Sequence, residues 1–168
     1  VAQLDEFGRL VGGLVELARG ARPAGAVTPV RLDELVGRVA SSARLGPGAP
    51  PVSLDAAPTT VLGEEDRLER AVANLVDNAV KYGGGGPVEV TVRDGTVVVR
   101  DHGPGIPPEH LPHVFDRFYR APETRAAPGS GLGLAIVRQV ADAHGGTAHA
   151  ANAPDGGAVL TLRLPVKG

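Results

Sequence analysis

One long amphipathic segment, residues 64–82, constrains the fold of this chain more than any other feature. Its apolar side chains recur at three- and four-residue steps, which predicts a helix with one face packed on a core. These side chains are Leu68, Val72, Leu75 and Ala79. Within about one quadrant of the helical wheel lie four polar or amphipathic groups, Asn74, Asn78, Lys81 and Tyr82. Amide oxygens suit a hard cation such as Mg²⁺ and a lysine suits phosphate, although a solvated face explains such groups equally well on its own.

The rest of the chain predicts neighbouring strands that pair and helices that come separately. Further helices are predicted at 31–44 and 131–144, and strands at 51–55, 59–63, 87–93, 96–101, 147–152 and 158–164. The dipeptide Asp94-Gly95 predicts a tight hairpin turn. The fold class is therefore α+β, a two-layer sandwich in which a mixed, mostly antiparallel sheet of about five strands is covered on one face by about three helices.

The first twenty residues predict a separate amphipathic helix, preceding the main domain. Its apolar positions are Leu4, Phe7, Leu10, Val11, Leu14, Leu17 and Ala18, and Gly20 and Pro23 end it. Such a helix either docks on its own domain or belongs to a bundle whose partners lie elsewhere or come from a second copy. We favour the bundle, with domains at 1–22 (bundle helix), 23–29 (linker) and 30–168 (main domain).

Composition excludes several classes of function. The 17 basic and 19 acidic residues give a net charge of −2, without the basic patch typical of nucleic-acid binding. The absence of cysteine excludes disulfides, thiolate metal sites and a cysteine nucleophile. No apolar run approaches the length of a membrane span, so no membrane contact is expected of these residues. Since the chain has no Met at all, we expect it to be a piece of a longer protein.

Two glycine-containing motifs frame the second half of the chain. The motif DHGPGI at 101–106 directly follows a predicted strand. A carboxylate there can accept from an exocyclic amine, and Gly103 and Gly105 let a flat ligand approach the backbone, although an ordinary turn can also carry this pattern. The motif GSGLGL at 129–134 enters a helix, where exposed backbone N–H groups form an anion site. Neither the dinucleotide fingerprint nor a Walker sequence is present.

Between these motifs, residues 115–120 read FDRFYR within a loop otherwise rich in proline, alanine and glycine. The aromatic residues could simply pin this loop to the domain. Alternatively, they anchor a mobile lid from which Arg117 or Arg120 reaches a phosphate group.

In this order and spacing, the four motifs resemble the N, G1, F and G2 boxes of the histidine kinase catalytic domain, the GHKL or Bergerat ATP-binding fold. The resemblance covers about residues 30–165. The first segment resembles the second helix of the dimerisation and histidine-phosphotransfer bundle that precedes this domain. It also looks like the MprB group of actinobacterial envelope-stress sensor kinases.

The resemblance implies a Mg-ATP site along the predicted helix 64–82 and the G1 box. Asp101 would hydrogen-bond the adenine amino group, and Tyr82 would lie beside the nucleotide. Asn78 would ligate Mg²⁺, Asn74 would support the metal or the phosphates, and Lys81 would contact phosphate.

The glycine boxes would enclose the same nucleotide. Gly103, Gly105 and Ile106 would border the adenine pocket. The G2 box would fold over the phosphates as a lid, through Gly129, Ser130, Gly131, Leu132, Gly133 and Leu134. Arg117 or Arg120 would assist catalysis from the F box. Two positions depart from the family pattern, because His102 stands where Asn is common and Pro128 where another Gly is frequent.

The resemblance also implies what the chain does. ATP would donate its γ-phosphoryl group to a histidine on the dimerisation bundle of the same kinase, and the parent would pass it to a response regulator. None of the histidines 102, 110, 113, 144 and 149 has the sequence context of that acceptor. We therefore expect this chain to bind ATP without phosphorylating itself.

The parent is expected to be a homodimeric membrane sensor with this portion in the cytoplasm. An amide cannot act as a general base at neutral pH, so Asn74 predicts negligible ATP hydrolysis. An ATP-sensing regulatory module and an anti-sigma-type serine kinase on the same fold remain as alternatives.

Overall fold

A computed structural model describes residues 2–20, 25–117, 119 and 133–166 of the chain. Its helices are α1 (Ala2–Gly20), α2 (Leu32–Arg44), α3 (Glu65–Tyr82) and α4 (Gly133–Ala143), with a short 3₁₀ turn at Leu111–His113. Its strands are β1 (Thr28–Arg31), β2 (Val52–Ala56), β3 (Thr60–Gly63), β4 (Val88–Arg93), β5 (Thr96–Arg100), β6 (Thr147–Asn152) and β7 (Ala158–Arg163).

Five strands form one sheet in the order β2-β4-β5-β7-β6. Only the β2–β4 pair is parallel, and the other three neighbouring pairs are antiparallel. This confirms the predicted α+β class with a mixed, mostly antiparallel sheet. The predicted ends of α2, α3 and the five strands of this sheet differ from the observed ends by at most one residue.

Strand β1 differs from the sequence prediction, which assigns residues 23–29 to a linker and begins a helix at residue 31. It pairs with β3 in a separate two-stranded antiparallel sheet, so β3 is not part of the main sheet. Among its four residues only Val30 is buried. A segment this short cannot show the period-2 alternation that identifies a strand from its sequence. Its pairing with β3 depends on tertiary contacts that a local reading of the sequence does not include.

The core lies between the main sheet and the helices α2, α3 and α4. On α3, the four apolar residues predicted to pack inward are all buried, together with Ala71 and Val76. Strands β4 and β5 contribute alternate valines, as a sheet with one covered face requires. The polar side of α3 is consequently fixed at one edge of this core, and that edge positions the site described below.

The turn between β4 and β5 has the predicted tight geometry. Asp94 and Gly95 both have positive φ values, 48° and 75°, as the favoured two-residue hairpin turn requires. The N–H of Gly95 donates to the hydroxyl of Thr59 at 3.2 Å, which connects this turn to the approach of β3. The hairpin therefore sets the register of β4 against β5.

Helix α1 contacts α4, but most of the apolar side chains described on it remain exposed. Leu4 is 75% exposed and Phe7 66% exposed, and Val11 and Leu14 are also exposed. Docking on the described part of its own domain thus does not bury the apolar stripe. In the part of the chain that the structure describes, no helix is long and apolar enough to cross a bilayer.

Candidate functional site

Asp101 is buried at the point where β5 ends, and its carboxylate is held by the backbone on two sides. Its Oδ1 accepts from the N–H of Gly103 at 2.9 Å and from the N–H of Ala158 at 3.1 Å. The Asp101 N–H itself donates to the carbonyl of Ala158 at 3.0 Å. One oxygen is therefore committed to the protein, and the side chain is oriented before any ligand arrives.

Close backbone contacts around Asp101 require glycine at three positions. A Cβ on Gly157 would overlap the carbonyl oxygen of Asp101, and φ there is 89°. A Cβ on Gly103 would lie 2.6 Å from the carbonyl oxygen of Tyr82, and one on Gly83 would lie 3.0 Å from the Asp101 Cβ. The end of α3, the loop after β5 and the β6–β7 turn thus meet here. The sequence analysis singled out Gly103 but not the roles of Gly83 or Gly157.

The G1 loop continues from Asp101 to Ile106, where a residue outside every predicted motif contacts it. The Asn152 side chain accepts from the N–H of Ile106 at 2.7 Å and donates to the Ile106 carbonyl at 2.6 Å. Gly105, just before, has φ of 77°, and a Cβ there would lie 2.9 Å from Asn152 Oδ1. No local sequence signal marks Asn152, since it lies at the end of an ordinary strand.

Two polar side-chain pairs lie beside this loop on the surface. His102 Nε2 donates to Glu89 Oε2 at 2.7 Å, so the unusual residue of the G1 box is paired with β4. Arg100 Nη2 donates to Asp155 Oδ1 at 2.6 Å. The backbone N–H of Asp155 and the Arg100 guanidinium lower the pKa of the Asp155 carboxyl. The loop is thereby connected to β4 by the contact between His102 and Glu89, and the β6–β7 turn is connected to the end of β5 by the ion pair between Arg100 and Asp155.

The polar side of α3 is less tightly held. Asn74 and Asn78 are half-buried, while Lys81 is exposed and its Nζ lies 2.8 Å from Asp77 Oδ2. The Asn74 Nδ2 is buried and has no hydrogen-bond partner among the described residues. A Cβ on Gly133 would lie 3.4 Å from Asn74 Oδ1. Gly133, the first described residue of α4, therefore adjoins the Asn74 amide.

These groups fit an anionic ligand with a hard cation better than a metal ion alone. The described residues contain no cluster of three or more His, Asp or Glu side chains that could hold a metal. A cation here would need most of its oxygen ligands from a bound phosphate and from water, as Mg²⁺ commonly does. The Asn78 amide oxygen is the ligand that the helix offers, and the Asn74 amide nitrogen is a donor with no acceptor among the residues that the structure describes.

Tyr119 packs between two histidines in the loop before the G2 box. Its ring centroid is 5.8 Å from that of His110 and 5.5 Å from that of His113, and its hydroxyl hydrogen-bonds His110. Phe115 packs partly against the core. Phe115 therefore anchors the loop on the core and Tyr119 packs within the loop, whereas Arg117 is exposed.

The remaining predicted site residues divide into two groups. Leu134 packs against the core at the start of α4. The other residues predicted for the lid lie outside the described part of the chain: Arg120, Gly129, Ser130, Gly131 and Leu132.

The fold and this arrangement match a known family. The profile of the histidine kinase-, DNA gyrase B- and HSP90-like ATPases matches residues 63–168. The chain belongs to this family. The match begins just before α3 and includes all the described residues of the N, G1 and F boxes.

Relatives of the chain are histidine kinases by name. The histidine-protein kinase/phosphatase MprB of Mycobacterium avium is 41% identical over 163 residues, which are 94% of this chain and 31% of the relative. The structure of a mycobacterial sensor histidine kinase MprB is 36% identical with a TM-score of 0.74, covering 84% of this chain and 99% of that one. These matches confirm the resemblance to the MprB group.

A second solved structure is the ATP binding domain of PrrB from Mycobacterium tuberculosis. It is 36% identical with a TM-score of 0.70, covering 86% of this chain and 100% of that one. The chain spans only about a third of the length of the MprB relative, 31%. Membership thus identifies the domain, and the activity of a whole protein is a separate question.

Proposed function

We propose that this chain binds Mg-ATP and is the phosphoryl-donating domain of a two-component sensor kinase. The observation that carries the proposal is the buried Asp101 carboxylate, which is oriented by Gly103 and Ala158 where the end of α3 meets the G1 loop. Among the described residues, its Oδ2 has no donor. An exocyclic amine of a base is the group that such an oxygen accepts from.

The base end should select adenine. The adenine amino group donates a hydrogen bond to Asp101, whereas guanine presents a carbonyl oxygen at that position. A buried carboxylate facing a carbonyl oxygen is unfavourable, because both groups are acceptors and neither is solvated. We therefore expect ATP to bind much more tightly than GTP.

The phosphates would lie along the polar side of α3. Lys81 and the Asn74 amide supply donors, and the first turn of α4 supplies backbone N–H groups with a favourable dipole. The Asn78 oxygen would hold Mg²⁺, which when bound neutralises phosphate charge. Asn74 cannot take a proton from water at neutral pH, so the domain is expected to transfer phosphoryl groups without hydrolysing ATP appreciably.

The acceptor would be a histidine on a dimerisation bundle of the same kinase. Residues 1–22 would form the C-terminal part of a helix of that bundle, with 23–29 as linker and 30–168 as the catalytic domain. The exposed apolar side chains of α1 support this assignment, since they lack a partner among the described residues. Catalysis would consist mainly of positioning and charge stabilisation for in-line transfer.

The whole protein would be a homodimeric membrane sensor with this portion in the cytoplasm, and it would pass the phosphoryl group to a response regulator. No histidine of this chain stands in the acceptor context, so the chain alone should bind ATP and remain unphosphorylated. Arg117 or Arg120 would assist the transfer from the F box.

The primary test is ligand binding by this chain. Calorimetry and thermal unfolding are measured with Mg-ATP and Mg-GTP. Ligand at about 100 times its Kd should stabilise the fold by roughly 2.7 kcal/mol. Asp101→Asn should abolish the ATP effect, and His149→Ala, an exposed change on β6, should not. Absence of any shift with millimolar Mg-ATP would contradict the proposal.

The second test separates the kinase from its alternatives. A histidine-containing bundle from the same kinase class is added in trans with labelled Mg-ATP. Acid-labile phosphate on the bundle histidine supports the sensor-kinase function. Acid-stable phosphate on serine would indicate the serine-kinase alternative, and tight binding without any transfer would indicate an ATP-sensing module.

A further inference from the structure

The side chain of Asn152 occupies a special position at the end of β6. Side chains alternate between the two faces of a strand, and Ala148 and Ala150 point toward the core. Asn152 is the next residue on that face, but the core has ended there and its side chain is exposed. It reaches the G1 loop instead of apolar neighbours.

The two hydrogen bonds from Asn152 satisfy both backbone groups of one residue. The Ile106 N–H and C=O are paired with the amide at 2.7 and 2.6 Å. A neighbouring strand would make the same pair of bonds with its backbone. The Ile106 side chain packs partly against the core, so this residue is held through both its backbone and its side chain.

Both ends of the G1 loop are consequently fastened to one hairpin. Asp101 exchanges hydrogen bonds with Ala158 at the start of β7, and Ile106 is bound by Asn152 at the end of β6. Asn152 and Ala158 are themselves direct partners in the β6–β7 ladder. A single pair of facing residues thus fixes where the loop begins and where it ends.

We propose that Asn152 is a positioning residue for the nucleotide, acting through its paired hydrogen bonds to the Ile106 backbone. The inference rests on the proposed nucleotide function of the Asp101 loop. Without the amide, the loop between its ends samples conformations that do not border the base correctly. The apparent Kd then rises in inverse proportion to the remaining competent fraction.

The test compares Asn152→Ala with His149→Ala, an exposed residue on the opposite face of the same strand. We expect the Asn152→Ala Kd for Mg-ATP to rise about tenfold, the effect of losing roughly one net hydrogen bond. The rise should be equal for ATP, ADP and AMP, because the loop borders the base rather than the phosphates. Amide hydrogen exchange of Ile106 should accelerate, while exchange in the core strands stays unchanged.

A second variant separates positioning from a general loss of stability. Asn152→Asp keeps the size and the acceptor for the Ile106 N–H, but it presents an oxygen to the Ile106 carbonyl. Its Kd should rise at least as much as that of Asn152→Ala. Both variants are measured well below their unfolding temperatures, so that a loss of folded protein does not contribute to the change in Kd. His149→Ala should retain the wild-type Kd.

Two results would overturn the inference. One is wild-type affinity in both Asn152 variants, and the other is unchanged exchange at Ile106 in Asn152→Ala. If the unmodified chain does not bind Mg-ATP, the proposed function fails instead. If the unmodified chain binds and the Asn152 variants bind equally well, only the role of Asn152 is refuted.

Discussion

The two ends of the candidate site are built differently. At the proposed base end, Asp101 is 4% exposed, and its loop is held by hydrogen bonds with Gly103, Ala158 and Asn152. At the phosphate end, the donors on α3 are half-buried or exposed. There Lys81 pairs with Asp77, and the Asn74 amide nitrogen has no partner among the described residues.

If the proposed nucleotide binds here, the difference indicates that the base end is preorganised and the phosphate end is completed by its ligand. A base is flat and uncharged, so a fixed carboxylate and a fixed loop can recognise it with little reorganisation. Phosphates bring charge and metal, which rearrange the donors they meet. Substitutions at the base end should therefore act through the structure of the protein, and those at the phosphate end through the chemistry of the ligand.

The largest effect is expected at Gly157. Gly157→Ala would drive a Cβ into the Asp101 carbonyl at φ of 89°, and it should destabilise the fold by about 2–4 kcal/mol. Denaturant unfolding measures this, and the surviving folded fraction should bind ATP poorly.

Gly156→Ala is the matched control. Gly156 also has positive φ, 101°, but a Cβ there has nothing within 4 Å. Gly156→Ala should therefore lower the free energy of unfolding only by the cost of backbone strain, about 1–2 kcal/mol. Equal losses in the two variants would show that the base end is not as rigid as its contacts indicate.

The next effect concerns the metal. Asn78→Ala should weaken ATP binding about 10- to 100-fold in the presence of Mg²⁺, because a charge-assisted contact is lost. With chelator in place of Mg²⁺ it should have little effect, whereas Asn152→Ala should weaken binding by the same factor in both conditions. Titration of a fluorescent ATP analogue gives the six constants, for the unmodified chain and both variants in each condition. An Asn78→Ala effect that is independent of Mg²⁺ would remove the metal-binding role of that amide.

The sequence predicts correctly those features that depend on local patterns within one segment. The apolar face of α3, the valine alternation of β4 and β5 and the Asp94-Gly95 turn are local patterns, and the structure has them where they were predicted. The motif at 101–106 also identifies Asp101 and Gly103 as candidate site residues. Their proximity to the end of α3 follows from the order of the boxes only through the family resemblance.

The features that the sequence does not predict depend on contacts between residues far apart in the chain. Strand β1 exists because β3 lies beside it, and Asn152 matters because the chain returns to Ile106 from 46 positions away. Gly157 reads locally as one more turn glycine, yet its lack of a side chain is required by Asp101. No periodicity within a single segment encodes such contacts, since they arise only when the sheet assembles.

A smaller effect is expected for the ion pair on α3. Asp77→Asn should release Lys81, and because an i,i+4 pair is worth about 0.3–0.5 kcal/mol, ATP should bind up to about twofold more tightly. AMP, which carries less phosphate charge, should gain less. Lys81→Gln should have the opposite effect, because it should weaken the binding of ATP more than the binding of AMP. A double-mutant cycle at low ionic strength would show whether the two side chains are coupled, and tighter binding of both nucleotides alike would argue against a phosphate contact.

The smallest effect on nucleotide binding is expected for Asp33, a residue that contributes to the pH dependence of folding stability. The Arg31 guanidinium, opposed by burial and helped by the Thr59 N–H, lowers the pKa of Asp33 to about 2. A carboxyl with a depressed folded-state pKa stabilises the fold fully above its unfolded value of about 3.9. That contribution is lost as the pH falls from there through about 2.

Asp33→Asn should consequently be less stable than the unmodified chain at neutral pH, with the difference shrinking toward pH about 2. Its Kd for Mg-ATP at neutral pH should change by less than about twofold, since distant sites are energetically independent to within about 0.5 kcal/mol. Urea unfolding between these pH values and one binding titration make the comparison. A large change in Kd would mean that general stability limits nucleotide binding. The contrast between the two ends of the site would then reflect how each substitution affects folding rather than how each end meets its ligand.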